Sequence, residues 1–197
     1  MISLQEGRGT KGKKVPERIL CLRLVVAGTQ PRVWRRLLVR ETMWLSRLHD
    51  SIQIAFDWFD YQTHTFALDE LKFGNPVKRD DVIVEDDRDV TLGDLNLAHR
   101  DKMGYDYHFG EGWRVDIRVE KTAAPTKGIR YPVCVAGERA GPPEDCGGLE
   151  AFHDMLACLK DPSSDLGKEW VAWLGPQYDP VACNLDKVNL ALRKLGK

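Results

Sequence analysis

The stretch densest in reactive side chains runs Pro142-Pro143-Glu144-Asp145-Cys146-Gly147-Gly148. Two prolines stiffen the approach, two carboxylates and a thiol follow, and paired glycines let the backbone come close to a ligand before a helix begins. Glu144 and Asp145 suit acid–base work or a divalent cation, and Cys146 would meet free N–H groups that lower a thiol's pKa. The same loop also reads as a rigid connection whose carboxylates cap the following helix while Cys146 fills a pocket. Among the five histidines, His108 stands on the polar face of a strand near Asp106 and Glu111 and is the best placed to move a proton. His49 and His64 fall on apolar patterns and read as half-buried residues bordering the core, His49 held by a hydrogen bond rather than a zinc ion. His99 and His153 read as surface residues.

Other chemistries find no pattern. Neither Cys-x-x-Cys nor His-x-x-x-His spacing occurs, so no metal site and no cofactor is expected. The nucleophile elbow Gly-x-Ser-x-Gly, the Gly-x-x-x-x-Gly-Lys phosphate loop and the Gly-x-Gly-x-x-Gly fingerprint do not occur either. The acid-rich stretch from Asp80 to Asp94 lacks the glycine and closing glutamate of an EF-hand loop and reads as solvated. A different function is suggested by Arg32, Trp34, Arg35 and Arg36, where cations flank an aromatic ring suited to nucleic-acid contact.

The elements that must position these residues follow from periodicity. Ile19–Val26 and Val33–Val39 alternate loosely around Gly28-Thr29-Gln30-Pro31 and read as a strand pair. Leu45, Leu48, Ile52, Ala55 and Phe56 repeat at helical spacing behind Thr42 as N-cap. His64, Phe66 and Leu68 mark a third strand and Val82–Val84 a fourth, and Thr91-Leu92-Gly93-Asp94 fits a capping box opening at most a short helix. A hairpin then places Met103, Tyr105, Tyr107 and Phe109 on one face with Trp113, Val115, Ile117 and Val119, turning at Gly110-Glu111-Gly112. Three amphipathic helices close the chain, at Leu149–Leu159, Leu166–Leu174 and Leu185–Leu195. The expected class is α+β, a mostly antiparallel sheet covered by helices, with the C-terminal third helical.

At 197 residues and 43% hydrophobic content, the chain is long enough for one domain with a sizeable core, assigned to residues 18–197. Residues 1–17, rich in Gly, Lys and Arg, read as a flexible basic tail. Five cysteines, an odd number, argue for reduced thiols, and no apolar run approaches the ~20 residues that span a bilayer. A cytoplasmic protein with no membrane partner is expected. The net charge of −1 hides an asymmetry: residues 1–48 hold 11 Lys+Arg against 3 Asp+Glu, the rest 18 against 27. Either the two parts neutralise each other within one fold, or the basic part meets a polyanion.

Several stretches together resemble the plasmid pRiA4b open-reading-frame-3-like family. They are Pro31-Arg32-Val33-Trp34-Arg35-Arg36, Leu48 through Gln53 with Ala55-Phe56-Asp57-Trp58, His64-Thr65-Phe66, Tyr107 through Trp113, Pro142 through Gly148, and Asp179-Pro180 with Val188-Asn189. They stand in the family's order across roughly residues 18–195. The resemblance implies a compact α+β domain carried on plasmids, mobile elements and bacterial chromosomes, without an assigned activity. Three positions depart from the family's pattern. His108-Phe109-Gly110-Glu111 replaces Asp-Phe-Gly-Asp, Val115 stands where a His is common, and Gly141 where a Cys often precedes the prolines.

With no complete catalytic set, the sequence favours a non-enzymatic binding module whose partner is protein or nucleic acid, engaged through the arginine-rich first hairpin. The alternative is a metal-assisted or acid–base hydrolase built on Glu144, Asp145, Cys146 and His108. In a third reading the motifs only specify the fold.

Overall fold

The computed structural model describes residues 17–79, 82–107 and 112–195. Among them nine strands form one sheet in the order β5-β6-β4-β3-β7-β8-β1-β2-β9. The centre is antiparallel: β1 (Ile19–Val26) lies between β2 (Trp34–Arg40) and β8 (Trp113–Ala123), and β8 pairs in turn with β7 (Lys102–Tyr107). β3 (His64–Leu68) follows β7, and β4 (Leu71–Gly74) follows β3. β6 (Val82–Asp86) joins β4 in parallel and pairs with β5 (Val77–Arg79). The core lies on the face carrying Leu22, Leu24, Leu37, Tyr105, Val115 and Ile117, all buried against α1 (Leu45–Phe56) and its neighbours. Alternation explains this sidedness, since successive strand residues point to opposite faces.

The helical C-terminal third needs correcting. β9 (Val133–Glu138) pairs with β2, and helices begin only with α2 (Gly148–Cys158), followed by α3 (Asp165–Leu174) and α4 (Leu185–Leu195). Val133-Cys134-Val135 is a short β-branched run, too brief to outweigh the Pro/Gly-rich flanks in the sequence reading. The edge of β2 gives it hydrogen-bond partners that no local pattern reveals. Asn189 of α4 then brackets Cys134, accepting from its N–H at 2.7 Å and donating to its carbonyl at 2.8 Å.

The cap of α1 also differs. Thr42 does not cap α1; its hydroxyl donates to Glu17 at 3.0 Å. The helix starts after Trp44, and the free N–H groups of Leu45 and Ser46 donate to the backbone carbonyls of Val90 and Asp87. A neighbouring loop thus does the work usually given to a capping side chain. Thr91 and Asp94 do exchange capping-box hydrogen bonds, yet only turns follow. Residues 1–16 of the expected basic tail lie outside the described residues. Glu17, counted with that tail, is tied to Arg40 and Thr42.

Candidate functional site

The Pro142–Gly148 loop is held by its own backbone. Trp58 Nε1 donates to the Pro142 carbonyl at 2.9 Å, Trp113 Nε1 to that of Glu144 at 3.2 Å, and Tyr178 Oη to that of Gly141 at 3.3 Å. Gly141 itself sits where a Cβ would lie 1.9 Å from the Phe56 carbonyl oxygen, so only glycine passes under the end of α1. Glu144, half-buried, accepts from the N–H of Phe59 at 2.6 Å, the N–H of Tyr61 at 3.2 Å and the hydroxyl of Tyr107. Burial and the adjacent Glu144 carboxylate keep the Tyr107 phenol protonated far above neutral pH. Glu144 is therefore a strap between this loop and the segment after α1.

Among the described residues, its neighbours Asp145 and Cys146 do not join it in a reactive centre. Asp145 is exposed. Cys146 is buried, its Sγ lies 3.8 Å from the Gly148 carbonyl, and burial pushes the thiol up to about 11, the opposite of an activated nucleophile. His108 lies outside the described residues.

Beneath the strap lies a layer of rings. Trp58 stacks on Tyr107 at 5.3 Å between centroids, and Tyr107 on Tyr105 at 6.2 Å. His49, from the buried stripe of α1, lies flat on His64 of β3 with centroids 3.6 Å apart and planes 9° from parallel. Each ring has assigned partners. His49 Nδ1 lies 2.8 Å from Tyr105 Oη and its Nε2 3.0 Å from Asp60 Oδ1. Gln53 Nε2 donates to Tyr105 Oη at 2.9 Å, so the phenol's own proton goes to His49 Nδ1 and the imidazole proton on Nε2 to Asp60. His64 Nε2 lies 2.8 Å from Asp87 Oδ2. Desolvation first, and the facing His64 second, hold the His49 pKa below the usual imidazole value. One donor atom from each of His49, Asp60 and His64 lies within 4.8 Å of the others.

Sequence reading placed His49 and His64 correctly at the core border but did not bring them together. A helix stripe and a strand fifteen residues later carry no spacing rule for meeting face to face. Asp87 was read within a solvated acidic stretch, yet it is 3% exposed. Its backbone joins β4 to the start of α1, donating to the Gly74 carbonyl and accepting from Ser46 N–H, which turns its carboxylate inward.

The four basic-hairpin candidates separate by face. Arg35 is 3% exposed; its guanidinium donates to the carbonyls of Ala55, Trp34 and Glu138, tying β2 to α1 and β9. Trp34, Arg36 and the exposed Arg32 lie on or beside the opposite face. Arg23 stands over the Trp34 ring at 4.3 Å and Arg36 at 5.4 Å. On that face Arg36, Arg23, Arg118 and Lys102 are direct cross-strand partners on β2, β1, β8 and β7. Glu120 accepts two hydrogen bonds from Arg36, at 2.5 and 3.0 Å, and lies 3.7 Å from Arg23. Arg118 and Lys102 have no ion pair among the described residues. Two adjoining concavities run along the row. Their walls carry seven Arg and Lys side chains, Arg32 among them, against Asp69, Asp116 and Glu120.

Comparison with known proteins finds similar chains. The uncharacterized protein y4hQ of Sinorhizobium fredii (strain NBRC 101917 / NGR234) is 30% identical over 180 residues, 90% of this chain and 92% of that one. The crystal structure of a protein of unknown function, MM3350 from Methanosarcina mazei Go1, matches with a TM-score of 0.78 at 33% identity, covering 89% of this chain and 98% of the other. The family model described as plasmid pRiA4b ORF-3-like protein matches residues 18–187. Nearly all the residues placed above, from Arg35 and His49 to Glu144, fall within that match, and the chain belongs to the plasmid pRiA4b ORF-3-like family.

Proposed function

We propose that the chain is a binding module whose uncovered sheet face takes the phosphate backbone of a nucleic acid. The observation that carries this reading is the row Arg36–Arg23–Arg118–Lys102, four cations directly opposite one another across four adjacent strands. Like charges facing each other across strands destabilise a sheet, and this row has Glu120 alone as an ion-pair partner among the described residues. A polyanion supplies the missing countercharge. With strands about 4.8 Å apart, the row spans roughly 14 Å, enough to meet successive phosphates along one strand. Trp34 adds a ring beside the row, already packed under Arg23 and Arg36. The earlier basic-hairpin reading narrows accordingly: Arg32, Trp34 and Arg36 stay on the binding face, Arg35 serves the core, and Arg118 and Lys102 join.

The test is fluorescence anisotropy with labelled single-stranded and duplex oligonucleotides across a salt series. About four phosphate contacts give a log–log salt slope of roughly −3 to −4 on duplex, an affinity loss of about 100-fold between about 50 and about 200 mM salt. The double variant Arg118→Glu/Lys102→Glu, both exposed, should abolish binding without changing the fold. Absence of binding at the lowest salt, or full binding by the double variant, refutes the reading. Capture of an acidic protein with no nucleic-acid binding would assign the face to a protein partner instead.

A further inference from the structure

We propose that His49, His64 and Asp60 form a binding site for one divalent transition cation of the zinc type. The site lies on the helix-covered side of the sheet, away from the basic row, and is independent of it. Three features carry the proposal. The donor set is two imidazoles and one carboxylate with donor atoms within 4.8 Å of one another, the composition of sites that keep a further position open. Asp87, with a side chain 4% exposed, holds His64 Nε2 at 2.8 Å. A metal-bound histidine uses this arrangement, one ring nitrogen on the ion and the other on a carboxylate. Among the described residues no hydrogen bond reaches the remaining His64 nitrogen, Nδ1. Finally, the cluster pairs its imidazoles with two carboxylates, Asp60 beside His49 and Asp87 behind His64, which suits a dication.

Geometry also says how the ion enters. In parallel rings 3.6 Å apart the lone pairs run side by side, so one ring must turn out of the stack for them to converge. Asp60 is the solvent-facing member of the cluster. Its side chain is 56% exposed, and it is joined to the cluster through His49 Nε2 and the Gln53 side chain. On loading, His49 takes the tautomer with its one ring proton on Nδ1, donated to Tyr105 Oη, which frees the Nε2 lone pair for the ion.

The test uses the full chain, stripped with chelator and titrated with Zn²⁺ by calorimetry, with Co²⁺ as a spectroscopic probe. One Zn²⁺ per chain is expected, with a Co²⁺ spectrum free of thiolate charge-transfer bands. Asp60→Asn should weaken Zn²⁺ at least tenfold. Asn tolerates the positive φ of 59° at this position, so the variant keeps the loop. His64→Asn should weaken it at least 100-fold, and Asp87→Asn, acting through His64, by about 10- to 100-fold. If His64→Asn fails to fold by circular dichroism, Asp60→Asn decides alone. No Zn²⁺ uptake by the wild type, unchanged affinity in Asp60→Asn, or thiolate bands with Co²⁺ overturns the site.

Discussion

Replacing Glu144 by alanine separates a strap from a reacting group. The carboxylate accepts from two backbone N–H groups, at 2.6 and 3.2 Å, and from the Tyr107 hydroxyl. Hydrogen bonds to a charged acceptor contribute about 1.5–3 kcal/mol each, but the three donors do not lose equally. Phe59 and Tyr61 are 66% and 67% exposed, so water rehydrates their N–H groups after truncation. Tyr107 is buried between Trp58 and Tyr105, and its hydroxyl keeps only the N–H of Gln62 at 3.3 Å. An unsatisfied buried hydroxyl costs about 1–3 kcal/mol. Together these give a loss of about 3 kcal/mol for Glu144→Ala. Glu144→Gln keeps the shape and one acceptor oxygen, and should lose about 1–2 kcal/mol by the same reasoning. With a urea m-value of about 2 kcal/mol/M for a domain of this size, the alanine variant's midpoint falls by about 1.5 M. Urea unfolding followed by tryptophan fluorescence reads this directly. Amide exchange at Phe59 and Tyr61 should also quicken in both variants. An alanine variant within about 0.5 kcal/mol of wild type, a surface-like value, would refute the strap.

Two further outcomes follow from buried charge and buried imidazole. Arg35→Met leaves the carbonyls of Ala55, Trp34 and Glu138 without their donor, and urea unfolding should show a loss of about 3 kcal/mol. Anisotropy titration should show its nucleic-acid affinity unchanged, in contrast to the Arg118→Glu/Lys102→Glu variant. For pH, the depressed His49 pKa fixes the sign. The unfolded chain takes up this proton near about pH 6.5, at a higher pH than folded His49 does, so this contribution to stability is full above that pH and falls as pH drops below it. Urea midpoints measured from about pH 7 down to about pH 5 should decline, and decline less in His49→Gln.

Much of the fold was legible because its centre alternates. The β7–β8 pairing, the helix stripe of α1 and the three closing helices each follow from a local period. What escaped was set by distant partners. β9 is a strand because β2 offers an edge, and α1 starts where Val90 and Asp87 present carbonyls, although Thr42 has the better capping side chain. The candidate site shows the same division. Glu144 and His49 stood out as residue types, but the meeting of α1, β3 and the loop after β6 is a tertiary fact. Arg35 looked no different from Arg36 in sequence. One position along a strand reverses the face, placing one guanidinium in the core and the other in the basic row.

A single criterion separates the residues that hold shape from those that await a partner: whether the protein itself satisfies their hydrogen bonds and charge. Glu144 has three donors, Arg35 three carbonyls, and the loop carbonyls of Gly141, Pro142 and Glu144 each a side-chain donor. Among the described residues these groups find their hydrogen-bond partners within the protein. The other groups are left incomplete by the same accounting. Arg118 and Lys102 face like charges without an ion pair among the described residues. His64 is oriented by a buried carboxylate through one nitrogen, and among the described residues no hydrogen bond reaches its other nitrogen. Folding stability gains nothing from a like-charge row or from burying Asp87 merely to aim an imidazole. Those arrangements make physical sense once an anion completes the first and a cation the second.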